Sequence, residues 1–270
     1  MEIRMSRIRA PRYRGRLAAA AVAALAALAL FPAAPCRAAE ALPDGPAVLA
    51  KYAQAVGGVA AWDSIHNRVT QMVISVKGTN TQMNLTEYRA RPNKEYAMLD
   101  TPDGKFLSGV VGESAWEYSV AQGPKLLDYQ DQADAMRDAI FDGLVHWRSG
   151  YRTAETVGVD TLPGKPCYKL TLKPRVGSPE TMYFEVDTGL LAMVEGNYET
   201  STMGTVNRKT YFSDYRKVGS VLVPYLVTQD ALGQRITQTI VEIQLNTDLS
   251  DDRFDPPSQV QELIKAKPKE

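Results

Sequence analysis

Apolar residues recur along this chain at two different spacings, which predict a short helical start and a long run of β-strands. From Val69 to Lys77, Met72, Ile74 and Val76 share one face while polar residues occupy the other. Segments of the same period, separated by Gly, Pro, Asn and Asp turn residues, follow at Gln82–Arg89, Lys94–Asp100, Lys105–Val111, Ala115–Val120, Tyr151–Val159, Cys167–Leu172 and throughout 181–246. This spacing predicts an antiparallel meander and a mainly β (α+β) fold.

A first helix is predicted from Pro46 to Val56. Asp44 can cap its start and Pro46 suits its first turn, and the glycine pair 57–58 can end it. At the other end of the chain, the segment after Asp251 is acidic and then lysine-rich. We expect it to be a surface extension.

A second helix is predicted from Asp131 to Trp147, where large apolar residues recur at helical spacing and Gly150 lies beyond the end. Such a stripe packs into a core or lines a cavity, and methionine adapts well to varied ligands. The candidate cavity residues are those of the stripe with one strand tryptophan: Met136, Ile140, Leu144, Trp147 and Trp116.

The N-terminus has the layout of a secretory signal peptide. An arginine-rich start precedes Leu17–Phe31, an uncharged apolar run of 15 residues, and small residues follow. The run is shorter than the about 18 residues that a membrane span needs, although an uncleaved anchor remains an alternative. We expect residues 1–39 to be the signal, residues 40–270 to be one domain, and the protein to reach the periplasm. Lipidation of Cys36 is disfavoured because Pro35 precedes it.

Removal of the signal changes the charge of the protein. The whole chain is neutral, with 31 basic and 31 acidic side chains. Loss of seven arginines and Glu2 leaves 24 basic and 30 acidic side chains, a net charge of −6. Because phosphate binding needs a basic face, nucleic acid is not an expected partner. Cys167 is then the single remaining cysteine, so no internal disulfide is expected.

The triplet Asp187-Thr188-Gly189 allows two interpretations. Two such loops supply the paired carboxylates of an aspartic protease, and one loop per chain suffices in a homodimer. The flanking residues are strand-like, however, and Asp and Gly are typical turn residues. We favour a hairpin turn and keep the dimeric protease as a minor alternative.

Other catalytic signals are weak. His66 and His146 lie far apart and outside any zinc-ligand spacing, so no metal site is expected. The sequence around Ser114 lacks the final glycine of a nucleophile elbow. The chain carries no phosphate-loop or dinucleotide fingerprint, so no cofactor is expected.

Taken in order, several short pieces resemble the LolA/LolB-like periplasmic lipoprotein carrier superfamily, and in particular its outer-membrane lipoprotein-sorting branch. The pieces are Leu49–Tyr52 with Gly57-Gly58, Ile65–Val69, Tyr183-Phe184, Asp187–Leu191, Tyr211–Arg216, Val223-Pro224 and Ile243–Asn246. The resemblance implies a strongly curved antiparallel sheet, an incomplete β-barrel, with helices covering its concave face. It also implies a cavity that holds acyl chains.

These observations favour a non-enzymatic periplasmic carrier or sensor that binds a lipid or an acylated protein in an apolar cavity. An envelope protein that donates or accepts the cargo is a possible partner, and transient membrane contact is expected. The alternative is a ligand-free interaction module of the cell envelope with the same fold.

Overall fold

The computed structural model describes residues 41–200 and 204–266 of the 270-residue chain. The predicted signal peptide and Cys36 lie outside the described residues. Four helices are described: α1 Gly45–Ala55, α2 Val59–Asp63, α3 Tyr129–Asp138 and α4 Ser258–Ala266. The strands are β1 Asn67–Val76, β2 Gln82–Ala90, β3 Lys94–Thr101, β4 Gly104–Val111, β5 Ser114–Ser119, β6 Gly123–Leu126, β7 Tyr151–Leu162, β8 Lys165–Pro174, β9 Glu180–Glu185, β10 Leu191–Thr200, β11 Gly204–Val218, β12 Val221–Ala231 and β13 Gln234–Leu245.

These thirteen strands form one curved, unclosed antiparallel sheet, which confirms the predicted fold class. The strand order is β6-β5-β4-β3-β2-β1-β13-β12-β11-β10-β9-β8-β7. The chain therefore starts in the middle of the sheet, runs outward to one edge, crosses to the other edge and returns to pair β13 with β1. We call residues 127–150, which join the two edges, the crossing segment.

Helix α1 forms where the sequence predicts it. The Asp44 carboxylate accepts a hydrogen bond from the Ala47 N–H at 2.7 Å. The helix ends at a glycine pair with positive φ, and a side chain at Gly57 would lie 2.6 Å from the Ser220 carbonyl oxygen. Leu49 packs on the concave face of the sheet with Leu170 and Phe184.

The predicted second helix is shorter than its apolar stripe. Helix α3 ends at Asp138, and the chain continues through turns to a short 3₁₀ helix at Trp147–Ser149. The Phe141 N–H donates to the Pro92 carbonyl at 3.1 Å, outside any helical bond. The Asp142 carboxylate accepts from Arg91 at 2.8 Å, and Gly143 adds a poor helix former. These tertiary bonds replace the continued helix.

The crossing segment nevertheless lies on the concave face, as a covering element should. Ala139 packs with Val110 and Ala115, and Trp147 packs with Leu170 and Phe184.

The C-terminal segment is not a surface extension, so that prediction was wrong. A 3₁₀ helix at Asp251–Phe254 and helix α4 pack against β3–β6, with Phe254 and Val260 buried. Arg253 lies 4.7 Å from the centroid of the Tyr88 ring. This segment therefore covers part of the opposite, convex face, where burial of apolar side chains holds it.

Candidate ligand-binding cavity

A cavity of about 680 Å³ lies between the concave face of the sheet and the elements that cover it. This volume is within the range of about 300–1,000 Å³ that is usual for small-molecule sites. Tyr52 of α1, Trp62 of α2 and residues 137–138 and 140–145 of the crossing segment line it, together with inward side chains of β1–β4 and β9–β13.

Much of the cavity wall is apolar. It includes Met72, Leu85, Leu99, Phe106, Ile140, Leu144, Val145, Met182, Leu191, Val194, Phe212, Val223, Val227, Ile240 and Ile243. The strand residues reach one face because side chains alternate along each strand, and cross-strand partners such as Leu85 and Leu99 therefore meet.

Charged residues form a network on the same face of β1–β3. The Arg89 Nη2 atom lies 3.0 Å from Glu87 Oε1 and 2.8 Å from Glu95 Oε2. Arg68 Nη2 lies 3.4 Å from Glu87 Oε2. Arg68 and Arg89 are direct cross-strand partners, as are Arg89 and Glu95, so strand pairing alone assembles this network.

Burial affects the two glutamates of this network differently. Burial favours the neutral form of Glu87, but Arg89 and Arg68 outweigh it and lower the pKa of Glu87. Burial raises the pKa of Glu95 to about 7. The positive charge of Arg89 opposes this rise only in part, and the negative charge of the nearby Glu87 increases it. Glu95 is therefore a carboxyl that can change its charge near neutral pH.

A second network surrounds Glu180 on β9. Its carboxylate accepts hydrogen bonds from Arg137 at 3.0 Å, from the Tyr151 hydroxyl at 2.6 Å and from the Tyr198 hydroxyl at 2.9 Å. Burial and the charge of Glu180 raise the pKa of Tyr151 well above its usual value. The same two causes raise the pKa of Tyr198 to about 12. Both hydroxyls therefore stay protonated and donate to Glu180.

The two networks meet at Asp138, the last residue of α3. Arg89 donates to the Asp138 backbone carbonyl, and Arg137 Nε lies 3.9 Å from Asp138 Oδ1. The Asp138 side chain is 57% exposed but lines the cavity, and enclosure by the surrounding protein raises its pKa. Its carboxyl is thus available to a molecule inside the cavity.

The predicted site residues fall in different places. Ile140 and Leu144 line the cavity. Met136 packs near Val110 and lines a separate groove of about 460 Å³, whose wall shares Arg137, Ile140 and Gly150 with the cavity. Trp147 is buried in the core below α1 rather than in the cavity wall. The apolar stripe therefore divides among three environments.

Trp116 lies on the opposite face of the sheet. Its neighbour Ala115 contacts the crossing-segment side through Ala139, so Trp116 points the other way. Its ring packs edge-on against Tyr96, with centroids 5.5 Å apart, and over Gly109. It is fully buried there, and the cavity wall does not include it.

The charged part of the cavity wall was not predicted from the sequence. In β2, Glu87 and Arg89 alternate with Tyr88, and this pattern is also typical of a strand whose charges face solvent. A usable signal was the opposite charges on neighbouring strands, since Arg89 of β2 pairs with Glu95 of β3. Detecting it requires the strand register.

A separate cluster joins α2 to the crossing segment. His146 Nε2 lies 2.8 Å from Asp63 Oδ1 and 3.2 Å from Asp142 Oδ2, and Arg91 donates to Asp142. These three carboxylate and imidazole atoms lie within 4.8 Å of one another, close enough to share a cation. Arg91 already neutralises Asp142, so the geometry is explained by ion pairing.

The Asp187-Thr188-Gly189 triplet is the turn between β9 and β10, as favoured. The Gly189 N–H donates to the Glu185 carbonyl at 2.9 Å, and the Thr188 hydroxyl donates to the Glu185 carboxylate at 2.6 Å. Asp187 itself is exposed.

In the part of the chain that the structure describes, no helix has the length and apolar character needed to cross a membrane.

The chain matches no known family profile and no curated protein sequence. Its structure is similar to a LolA superfamily protein from Nitrosomonas europaea, at 12% identity, a TM-score of 0.56 and coverage of 80% of this chain and 99% of the other. A DUF1329 family protein from Desulfovibrio piger gives 16% identity, a TM-score of 0.55 and coverage of 78% and 97%. A putative outer membrane lipoprotein-sorting protein domain from Vibrio parahaemolyticus gives 13% identity and a TM-score of 0.54, with coverage of 82% of this chain and 98% of the other. The chain therefore has a LolA-like fold.

Proposed function

We propose that this protein is an exported, non-enzymatic carrier or sensor that holds the acyl part of a lipid or acylated protein in the cavity. The observation that carries the proposal is the cavity of about 680 Å³ between the curved sheet and the crossing segment. Each methylene moved from water into its apolar part contributes about 0.8 kcal/mol. A long acyl chain would therefore bind without any catalytic group.

The periplasm is the proposed location, because the N-terminal sequence has the layout of a secretory signal. Binding through many apolar contacts suits transfer, since an acceptor with a larger apolar site can take the cargo by mass action. We accordingly propose a donor or acceptor in the envelope, and membrane contact limited to loading and release.

The test combines native mass spectrometry of protein secreted to the periplasm with uptake of a fluorescent fatty acid. The blocking variant is Leu99→Trp, because Leu99 lines the cavity and indole fills its volume. The control is Met98→Trp, on the same strand but facing the other side of the sheet. We expect Leu99→Trp to lose uptake and Met98→Trp to retain it.

Wild-type protein that carries no lipid and takes up no fatty acid would contradict the carrier proposal. That result would leave the ligand-free interaction module as the better explanation of the fold.

A further inference from the structure

The charged side chains of the cavity form one continuous polar region, which we call the polar wall. It comprises the network of β1–β3, the network around Glu180, and Asp138 and Arg208 between them. The remaining wall is largely apolar. A cavity with one polar and one apolar region matches a ligand that has the same division.

Arg208 differs from the other arginines of the polar wall. Arg68, Arg89 and Arg137 each pair with a carboxylate. Over residues 41–200 and 204–266, the guanidinium of Arg208 forms no ion pair and lies instead over the Tyr198 ring, 3.6 Å from its centroid. The Tyr198 hydroxyl can accept from one of the N–H donors of Arg208. A guanidinium carries five donors in a planar fork, so the others remain for a planar or tetrahedral anion.

The polar wall also has an excess of hydrogen-bond donors. The Nε atoms of Arg68, Arg137 and Arg208 are buried without a hydrogen-bond partner, and so is the hydroxyl of Thr70. Thr70 is only 3% exposed and lines the cavity. Glu95 Oε2 is also buried without a hydrogen bond, but it lies 2.8 Å from Arg89 Nη2. Because buried donors are normally paired, the unpaired donors of this wall call for further acceptor atoms. A ligand head with several acceptor oxygens supplies them.

We propose that the cavity selects an anionic amphiphile, with a carboxylate or phosphate head on the polar wall at Arg208 and its acyl chain along the apolar wall. This inference rests on the proposed function, because it assumes that an acyl chain enters the cavity. It adds the head-group class and the residue that recognises it.

The charge balance of the polar wall supports an anion. The four arginines of the polar wall match Glu87, Glu95, Glu180 and Asp138 in number, so this wall is formally neutral when every carboxyl is ionised. The fifth carboxylate that lines the cavity, Asp142, is paired with Arg91. Burial raises the pKa of Glu95, whose charged neighbours are Arg89, Glu87, Asp138 and Arg68. Burial also raises the pKa of Asp138, whose charged neighbours are Arg137, Glu180, Arg208 and Arg89. Proton uptake by either carboxyl leaves positive charge for the head.

The experiment measures displacement of a neutral fluorescent lipid probe by palmitate, cetyl phosphate and cetyl alcohol, which share one chain type and differ in the head. A charge-assisted hydrogen bond of about 1.5–3 kcal/mol corresponds to roughly 10- to 150-fold in affinity. We expect both anions to bind at least about tenfold more tightly than the alcohol. Inorganic phosphate alone is expected not to displace the probe.

The variant Arg208→Met should remove the preference for anions and leave the affinity for cetyl alcohol unchanged. Arg208→Lys should retain part of the preference for anions, because lysine keeps the positive charge but lacks the planar guanidinium. The matched control is Arg216→Met on the same strand, whose guanidinium lies 4.6 Å from the Tyr225 centroid but is exposed and paired with Asp214. It should behave as wild type.

Equal affinity of the wild-type protein for palmitate and cetyl alcohol would overturn this inference and leave the carrier function intact. Displacement by inorganic phosphate as effective as that by cetyl phosphate would also overturn it, since the site would then bind a free anion. Failure of all lipids to bind would contradict the carrier function itself. If Arg208→Met does not fold, the comparison of the three wild-type affinities still decides the inference.

Discussion

Arg137 of α3 and Glu180 of β9 form an ion pair inside the molecule, with Arg137 Nη2 3.0 Å from Glu180 Oε1 and each side chain only 7% exposed. This pair ties the crossing segment to the far half of the sheet. The Tyr151 and Tyr198 hydroxyls donate to the same glutamate, so both of its carboxylate oxygens accept hydrogen bonds. The pair therefore holds one of the elements that cover the cavity.

Breaking this pair should destabilise the protein strongly. Arg137→Met leaves a buried carboxylate without its cation, and such changes cost about 3–5 kcal/mol. Urea denaturation of Arg137→Met, Glu180→Met and the double variant gives a double-mutant cycle. The loss of unfolding free energy in the double variant should be smaller than the sum of the two single losses. Arg216→Met, in an exposed pair with Asp214, should show no measurable loss. Additive costs in the cycle would contradict the coupling.

The stability of the protein should fall as pH rises from about 5 to 7, because of Glu95. The pKa of Glu95 rises from 4.5 to about 7 on folding, so between these values the folded state binds a proton that the unfolded state has lost. Its contribution is present below 4.5 and is lost as pH rises towards 7, with a slope of at most about 1.4 kcal/mol per pH unit for one proton. Asp138 acts in the same direction.

Urea denaturation at several pH values checks this dependence. Glu95→Gln should flatten the slope, whereas Glu113→Gln, in an exposed turn, should leave it unchanged. A slope that persists in full in Glu95→Gln would show that other groups cause it.

The C-terminal helix should contribute measurably to stability. Val260 is fully buried, and Val260→Ala should cost about 1–3 kcal/mol through lost burial and a small cavity. Leu263 in the same helix is 37% exposed, so Leu263→Ala should change the free energy of unfolding by about 0.5 kcal/mol or less. Thermal or urea unfolding followed by tryptophan fluorescence measures both. Equal losses would mean that α4 does not pack as described.

The Asp187-Thr188-Gly189 turn should depend on its glycine and not on its aspartate. Gly189 has φ of +76°, and a side chain there would lie 2.8 Å from Lys51 Cγ, so Gly189→Ala should cost about 1–2 kcal/mol. Asp187→Asn should change stability by less than about 0.5 kcal/mol and leave fatty-acid uptake unchanged. A peptidase activity that Asp187→Asn abolishes would instead revive the dimeric protease.

Most strands, though not the short strand β6, could be predicted from the sequence because they show a two-residue apolar period bounded by turn residues. Helix α1 was predictable for the same reason, since Asp44 and Gly57 mark its ends. These signals are local, and tertiary packing agrees with them.

The crossing segment and the C-terminal segment could not be predicted in this way. Beyond Asp138 the apolar residues are buried, yet a bond from Phe141 to Pro92 replaces the helix. Phe254 and Val260 are buried only because β3–β6 present a face that they can cover. The polar wall depends on strand register in the same way, since Glu87, Arg89 and Glu95 become a network only once β2 and β3 pair.

The pairing of β1 with β13 has a consequence for how the chain folds. Arg68 is the partner of Leu245, so the middle of the sheet is completed by residues from opposite ends of the described chain. Contacts of such long sequence separation slow folding, and until they form, β1 is an open edge on which other chains can pair. During synthesis, the strand at the centre of the finished sheet is therefore the one left longest at risk of aggregation.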